Sequence, residues 1–353
     1  MRGKRADLIV HNDAPFNAEP PAAVLAEHDI TATEAFYCRN HGAIPDWFAS
    51  DSAAEQWGLS VNGDVTDPLA LDYRRLTTDF AAHDLIATLV CAGNRRAELL
   101  RVQPIPGKEP WGPAAISTAV WRGARLADVL RAAGVEHRDD AHVAFTGLDI
   151  APEATPPQPY GASIPLAKAL SADVLLAWGM NGEPLPVLHG GPVRVVVPGF
   201  IGARSVKWIS AITVQPGPSQ NYFQAVDYRI GGAALTVLSL NCGIMVPNDG
   251  ATVPAGPLNI HGYTIAADSR RIARVEVSLD AGSTWQPAEL EPTVSAWAWR
   301  RWSATVAAAP GPLSVVARAW NDAGQTHPDS LAALWNPSGY GNNAWPRVDL
   351  TVQ

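Results

Sequence analysis

From about residue 235 to the C-terminus the chain shows almost no helical period, and this limits its fold more than any other feature. "RIARVEVSLDAGSTWQPAEL" alternates Val275, Val277 and Leu279 with polar residues, then turns at Asp280-Ala281-Gly282. A period of two puts one face of a strand against a core, and a glycine-bearing turn directly after it reads as a hairpin. "WAWRRWSATVAAAPGPLSVVARAWNDAGQTHP" continues the alternation with turn residues at short intervals. Strands this short bury their apolar faces by packing one sheet on another, so an all-β sandwich is expected here.

The region from 55 to 225 has a different texture. "DLIATLV" reads as a buried strand ending at Cys91, and further strands are expected at "HVAFTG" and "PVRVVVP". "GARLADVLRAAGV" places Leu126, Val129 and Leu130 at helical spacing and closes on Gly134. No G-x-G-x-x-G follows a strand, and the elements lack a regular βαβ rhythm, which argues against a dinucleotide fold. The fold class expected is α+β: a mixed domain over 1–230 followed by an immunoglobulin-like sandwich over 231–353.

At 353 residues, a chain of this length suits two domains and can bury a core without disulfides. A net charge of -8 argues against broad nucleic-acid binding, although a local basic pocket is compatible with it. The longest apolar runs are broken by Pro and Gly well short of the ~20 residues of a membrane span, so no membrane partner is expected. "ADLIV" is too short for a signal core and is interrupted at once by "HND". The three cysteines, Cys38, Cys91 and Cys242, are odd in number and form no C-x-x-C pair. A reducing, cytoplasmic compartment is therefore expected.

Cysteines after apolar runs are most often small buried hydrophobes, and Cys38 and Cys242 fit that description. Cys91 differs in its neighbours. "CAGNRR" supplies a tight turn and two guanidiniums at the end of a strand, an electropositive setting of the kind that lowers a thiol pKa. A unit charge ~4 Å away at an effective dielectric of 20 is worth about 4 kcal/mol, or roughly three pKa units. A thiolate so formed is either a nucleophile, with His41 or His189 as base, or a soft metal ligand.

Three clusters favour an anionic cofactor. "FYCRNHGAIP" carries Arg39, Asn40 and His41. "LHGGPVRVVVPGFIGARSVKW" carries His189, Arg194, Arg204, Ser205 and Lys207, and "CAGNRR" adds Arg95 and Arg96. Glycine turns that expose backbone N–H groups beside Lys or Arg suit a phosphate.

These segments, with "AAISTAVWRGARLADVL", "LLAWGMNGEPLPVLHGGPVRVVVPGFIGARSVKW" and "WNPSGYGNNAWPRV", resemble the sulfite oxidase family of molybdenum enzymes. They follow the family's order from about residue 36 to 348, and the likeness is greatest to haem-free bacterial or plant-like members. The resemblance implies molybdenum bound by Cys91 and by the dithiolene of a pyranopterin (molybdopterin). The cofactor would be held by Arg39, Asn40, His41, His189, Arg194, Ser205 and Lys207. It also implies oxygen-atom transfer from the centre to sulfite, with two electrons passing to an external acceptor such as oxygen or a cytochrome. Tyr228 would lie near the reacting oxygen, Arg39, Arg96 and Arg270 would offset the oxyanion's charge, and Trp111 would wall the pocket. The sandwich resembles the family's dimerisation domain, which implies a homodimer.

The chain departs from the family pattern in places. "AADSRR" stands where a glycine-rich segment is usual, so Arg271 competes with Arg270 for the pocket position. In "QPIPGKEPW" Pro106 stands where animal members have a lysine, with Lys108 two residues on, and "VDYRIGG" lacks the usual aromatic. Such changes keep open a reductive use of the same cofactor on nitrate or a sulfoxide. A non-catalytic anion-binding module with a structural cysteine is the reading from another class.

Overall fold

The structure is a computed structural model that describes residues 3–46, 53–266 and 270–353. Two five-stranded sheets dominate the N-terminal part, which also carries the hairpin Ile9–Asp13, Phe16–Glu19. In the first, Ala82–Val90 pairs with Ile116–Arg125, which pairs with Leu175–Met180; Glu183–Pro184 and Arg194–Val196 both add to that last strand, and every pairing is antiparallel. The second runs Leu69–Asp72, Gly58–Gly63, Ile209–Pro216, Ala141–Ala151, Gln158–Pro165, with one parallel pair between Gly58–Gly63 and Ile209–Pro216. Helices are short connectors. The expected one begins only at Leu126, because "GAR" still belongs to the preceding strand, and it ends at Ala132. Gly134 follows in the left-handed region at φ 68°, where a Cβ would be unfavourable.

Ala82–Val90 explains how the sequence delivers Cys91. Its first residues are exposed or half-buried and its last four are buried, so the strand runs from solvent into the core and stops there. The Cys91 N–H then donates to Ala115 O at 2.9 Å, and its carbonyl accepts from Asn94 N at 3.0 Å, which tightens the turn.

The C-terminal part is the expected sandwich. A four-stranded sheet ordered Asn241–Val246, Gly256–Ile265, Arg300–Ala308, Glu289–Leu290 faces a five-stranded one ordered Thr252–Val253, Arg347–Val352, Gly311–Asn321, Ile272–Ser278, Gln286–Pro287. Ile260, Trp302 and Val306 from one sheet share a buried cluster with Val275, Val277, Val315 and Leu350 from the other. The hairpin turns as expected, with Ala281 at φ 59° and Gly282 at φ 95°, and Asp280 accepts the Thr284 N–H at 2.8 Å.

The two parts share one core. Met245, Tyr263, Trp299 and Tyr340 belong to the same buried cluster as Trp57, Phe145 and Trp208. Among the described residues six tryptophans are fully buried, and five satisfy their indole N–H on a backbone carbonyl, for example Trp299 on Asp29 O at 2.9 Å and Trp121 on Ala87 O at 3.1 Å. Trp111 is the sixth, and its indole N–H has no partner among the described residues.

Candidate active site

A cavity of about 660 Å³, counting the solvent-open space at its mouth, lies beside the end of Ala82–Val90. Cys91, Arg39, Asn40, His41, His189, Arg194, Ser205, Lys207 and Tyr228 all line it, so the structure brings together residues separated by up to 189 positions.

Arg194 starts the edge strand Arg194–Val196, and its guanidinium donates to His189 O and Ser205 O, both at 2.8 Å, and lies 5.2 Å from the centre of the Trp121 ring. Carbonyl oxygens and a ring face orient this cation without neutralising it; burial pushes its pKa down to about 10. Ser205 accepts the Val197 N–H at 3.0 Å. Lys207 donates to Arg39 O at 3.0 Å, to Leu188 O at 3.4 Å and to Asn40 Oδ1. Burial pushes Lys207 down and its neighbour Asp149 up. Asn40 is fixed through Asn17 Oδ1 and Phe16 O, each at 2.6 Å, by the N-terminal hairpin strand Phe16–Glu19.

His41 Nε2 and the Tyr228 hydroxyl are 2.7 Å apart, and His41 Nδ1 lies 3.0 Å from Glu153 and 3.2 Å from Arg39 Nη2. Burial, then the Arg39 charge, holds His41 well below its ordinary value, and burial likewise lowers His189. Both rings are therefore neutral at pH 7. Tyr228 is buried with φ 44°, a conformation uncommon for a bulky residue, and burial raises its phenol well above 10.

Several expectations are corrected. The two guanidiniums of "CAGNRR" do not act together. Arg95, itself left-handed at φ 65°, turns away to Glu98 at 2.7 Å and Cys242 O at 2.8 Å. Arg96 and Arg39 do pull on the Cys91 thiol, but burial outweighs them and raises it. Arg96 lies outside the cavity lining, with Nη1 donating to Glu109 O at 2.7 Å and Nε to Ser338 O at 3.0 Å and Gly339 O at 3.2 Å. Arg270 is exposed and lines no part of the cavity. Ile272 turns into the sandwich, so by strand alternation Arg271 faces outward, 3.4 Å from Asp322 and 87% exposed. Trp111 packs in the cluster that contains Cys91 but does not line the cavity.

The sequence reading missed other residues. Asp149 and Tyr160 line the cavity, and the Asp149 Oδ1 is buried with no hydrogen-bond partner among the described residues. Lys4 reaches in from the N-terminus and donates to Thr33 O and Phe36 O at 2.7 Å, with His189 Nε2 at 2.8 Å. No local pattern marks Lys4 or Asp149, because both gain their meaning only through contacts far along the chain.

The donor set fits a phosphate-bearing heterocycle that holds a soft metal. Enclosed cations without carboxylates on Arg194 suit an anion, the orphaned Asp149 oxygen suits a ring N–H, and the Cys91 sulfur is a soft ligand. Among the described residues no group of three His, Cys, Asp or Glu side chains forms a metal cage, so a metal here would draw its other ligands from the cofactor.

Comparison with known proteins gives the class. A family model for the oxidoreductase molybdopterin binding domain matches residues 41–223, and one for the Mo-co oxidoreductase dimerisation domain matches 233–353, which together define a molybdopterin-dependent oxidoreductase. Sulfite oxidase of Gallus gallus is 43% identical over 96% of this chain and 77% of its own length. The mitochondrial enzyme of Homo sapiens is 42% identical over 98% of this chain, which spans 66% of that relative. The sulfane dehydrogenase SoxCD of Paracoccus pantotrophus superposes with a TM-score of 0.79 at 25% identity, covering 96% of this chain and 85% of that one. The chain belongs to the sulfite oxidase family of molybdopterin enzymes.

Proposed function

We infer that this chain oxidises sulfite to sulfate at a molybdenum–pyranopterin centre ligated by Cys91. The observation that carries the reading is that Cys91 lines the same cavity as Arg39, His41, His189, Arg194, Ser205 and Lys207. When bound, the centre supplies the two-electron couple and the transferred oxygen. Arg194 and Lys207 offset the cofactor's negative charge, while Asn40, His189 and Ser205 orient it through the bonds described above. Arg39 presents positive charge to the dianion, with Arg96 acting at longer range, in a space where charge is weakly screened. The Tyr228 hydroxyl, held by neutral His41, orients an oxyanion oxygen as a hydrogen-bond donor.

In this reading residues 1–230 bind the cofactor, residues 231–353 make a homodimer, and electrons leave to an external carrier. Three buried, unpaired thiols support the reducing, cytoplasmic setting, and no described helix is long and apolar enough to cross a membrane. The test is metal analysis with sulfite titration of the visible spectrum and of ferricyanide reduction, on wild type and Cys91→Ser. About one molybdenum per wild-type chain, bleached by sulfite and lost in the variant, is the expected result. Metal without a sulfite response, together with oxidation of a reduced dye by nitrate, would replace this reading by the reductive one. No metal after expression in a cofactor-producing host would leave only an anion-binding module.

A further inference from the structure

The loop Asn336–Gly341, which lies between the short helix Leu331–Leu334 and the last strand Arg347–Val352, reaches out of the sandwich to Ala92 and Asp227 of the first part. We propose that Tyr340 in this loop is a positioning residue that sets the Tyr228 phenol, so that the C-terminal part completes the active site of the first.

Tyr228 needs such support. Its φ of 44° is unfavourable for a bulky L-residue and persists only where the surroundings over-determine it. The first support is Asp227, whose Oδ1 accepts the Tyr228 N–H at 2.9 Å. The Tyr340 hydroxyl donates to that same oxygen at 2.7 Å. Lys108 closes the group, its ammonium 3.4 Å from Asp227 Oδ1 and 3.3 Å from the Tyr340 oxygen. Burial raises the Asp227 carboxyl, but the Lys108 charge and the Tyr340 hydrogen bond more than offset it, so Asp227 stays ionised and keeps its acceptor character.

The second support is the ring itself. Tyr340 stacks on Tyr228 with centroids 5.0 Å apart and planes inclined by 20°. Tyr340 is in turn held hard: its N–H donates to Asn336 Oδ1 at 3.1 Å, its carbonyl accepts from Asn336 Nδ2 at 2.9 Å, and Gly341 N–H donates to Ala92 O at 2.8 Å, next to Cys91. Arg96 sits 5.2 Å from its ring centre and donates to the carbonyls of Ser338 and Gly339. A Cβ on Gly339 would come within 2.7 Å of the Arg96 side chain, so the glycine admits that arginine. One loop thus ties Ala92, Arg96, Asp227 and Tyr228 together across the junction of the two parts.

The proposal rests on the reading that Tyr228 orients the oxyanion. Two variants of the molybdenum-loaded protein test it. Tyr340→Phe keeps the stack and loses the hydrogen bond; kcat/KM for sulfite should fall about tenfold, mainly through KM. Tyr340→Leu loses both supports and should fall further. In a Tyr228→Phe background the Tyr340 substitutions should add almost nothing, whereas an undiminished effect there would show that Tyr340 acts elsewhere and overturn the proposal. Crystal structures of the variants supply a readout independent of turnover: displacement of the Tyr228 ring in Tyr340→Leu supports the proposal, and an unmoved ring overturns it. If the wild type is inert towards sulfite but the ring moves, it is the functional reading that fails and the positioning that stands.

Discussion

The Tyr228 hydroxyl lies 2.7 Å from Nε2 of His41, joining residues 187 positions apart inside the cavity that contains Cys91. Because burial and Arg39 keep His41 well below its ordinary value, the ring offers the phenol a neutral partner throughout the physiological range. Tyr228→Phe should lower kcat/KM for sulfite roughly 10- to 100-fold with molybdenum content unchanged. An acid-side inflection of kcat/KM belonging to His41 lies below pH 6.5, and steady-state rates from pH 5 to 9 check it.

Arg95 locks the junction of the two parts. Its guanidinium, fully buried, makes paired bonds to Glu98 at 2.8 and 2.7 Å and reaches Asn241 Oδ1 at 2.9 Å and Cys242 O at 2.8 Å. Arg95→Met removes one member of a buried pair and strands these acceptors, a loss of about 3–5 kcal/mol. Thermal unfolding should show a clear drop in Tm. A variant as stable as wild type would mean that the junction is held by its apolar contacts alone.

At Lys207 stability and the proposed cofactor binding pull in opposite directions. Burial lowers its folded pKa below the unfolded value near 10.5, so the unfolded chain binds the proton more readily. The resulting penalty is greatest at neutral and lower pH, where the enclosed amine must carry charge, and fades as pH rises towards the ordinary lysine range. Lys207→Met should therefore raise the Tm of cofactor-free protein at pH 7 while lowering the molybdopterin retained on purification. Fluorimetry and pterin quantification on the same preparations measure both effects.

Where the sequence was informative and where it was silent follows from the range of each signal. Val275 and Val277 face the sandwich core because alternation is a local property, and the apolar run ahead of Cys91 marked its strand for the same reason. The adjacent Arg95 and Arg96 could not be separated, because a left-handed φ at Arg95 sends one guanidinium into the junction and the other behind the thiol. Arg270 looked equivalent to a pocket residue, yet it emerges in solvent at the foot of a strand. Tyr340, 112 residues after Tyr228, belongs to a quoted motif, but its contact with Asp227 depends on how the two parts dock.

His327 makes the sandwich sensitive to acid. Its Nε2 accepts the Ala319 N–H at 2.9 Å and its Nδ1–H donates to Asn343 O at 2.8 Å, an arrangement that requires the neutral ring. Burial, reinforced by the Arg95 charge, pushes its pKa down to about 4. Between that value and the unfolded one near 6.5 the unfolded chain binds more protons, so stability is full above about pH 6.5 and declines as pH falls towards 4. The loss attributable to this ring is about 3 kcal/mol at the low end. Urea unfolding at pH 7 and pH 4.5 should show it, and His327→Gln, which can still accept and donate, should be less stable at pH 7 but lose less on acidification. An unchanged pH dependence in that variant would assign the acid sensitivity to other groups.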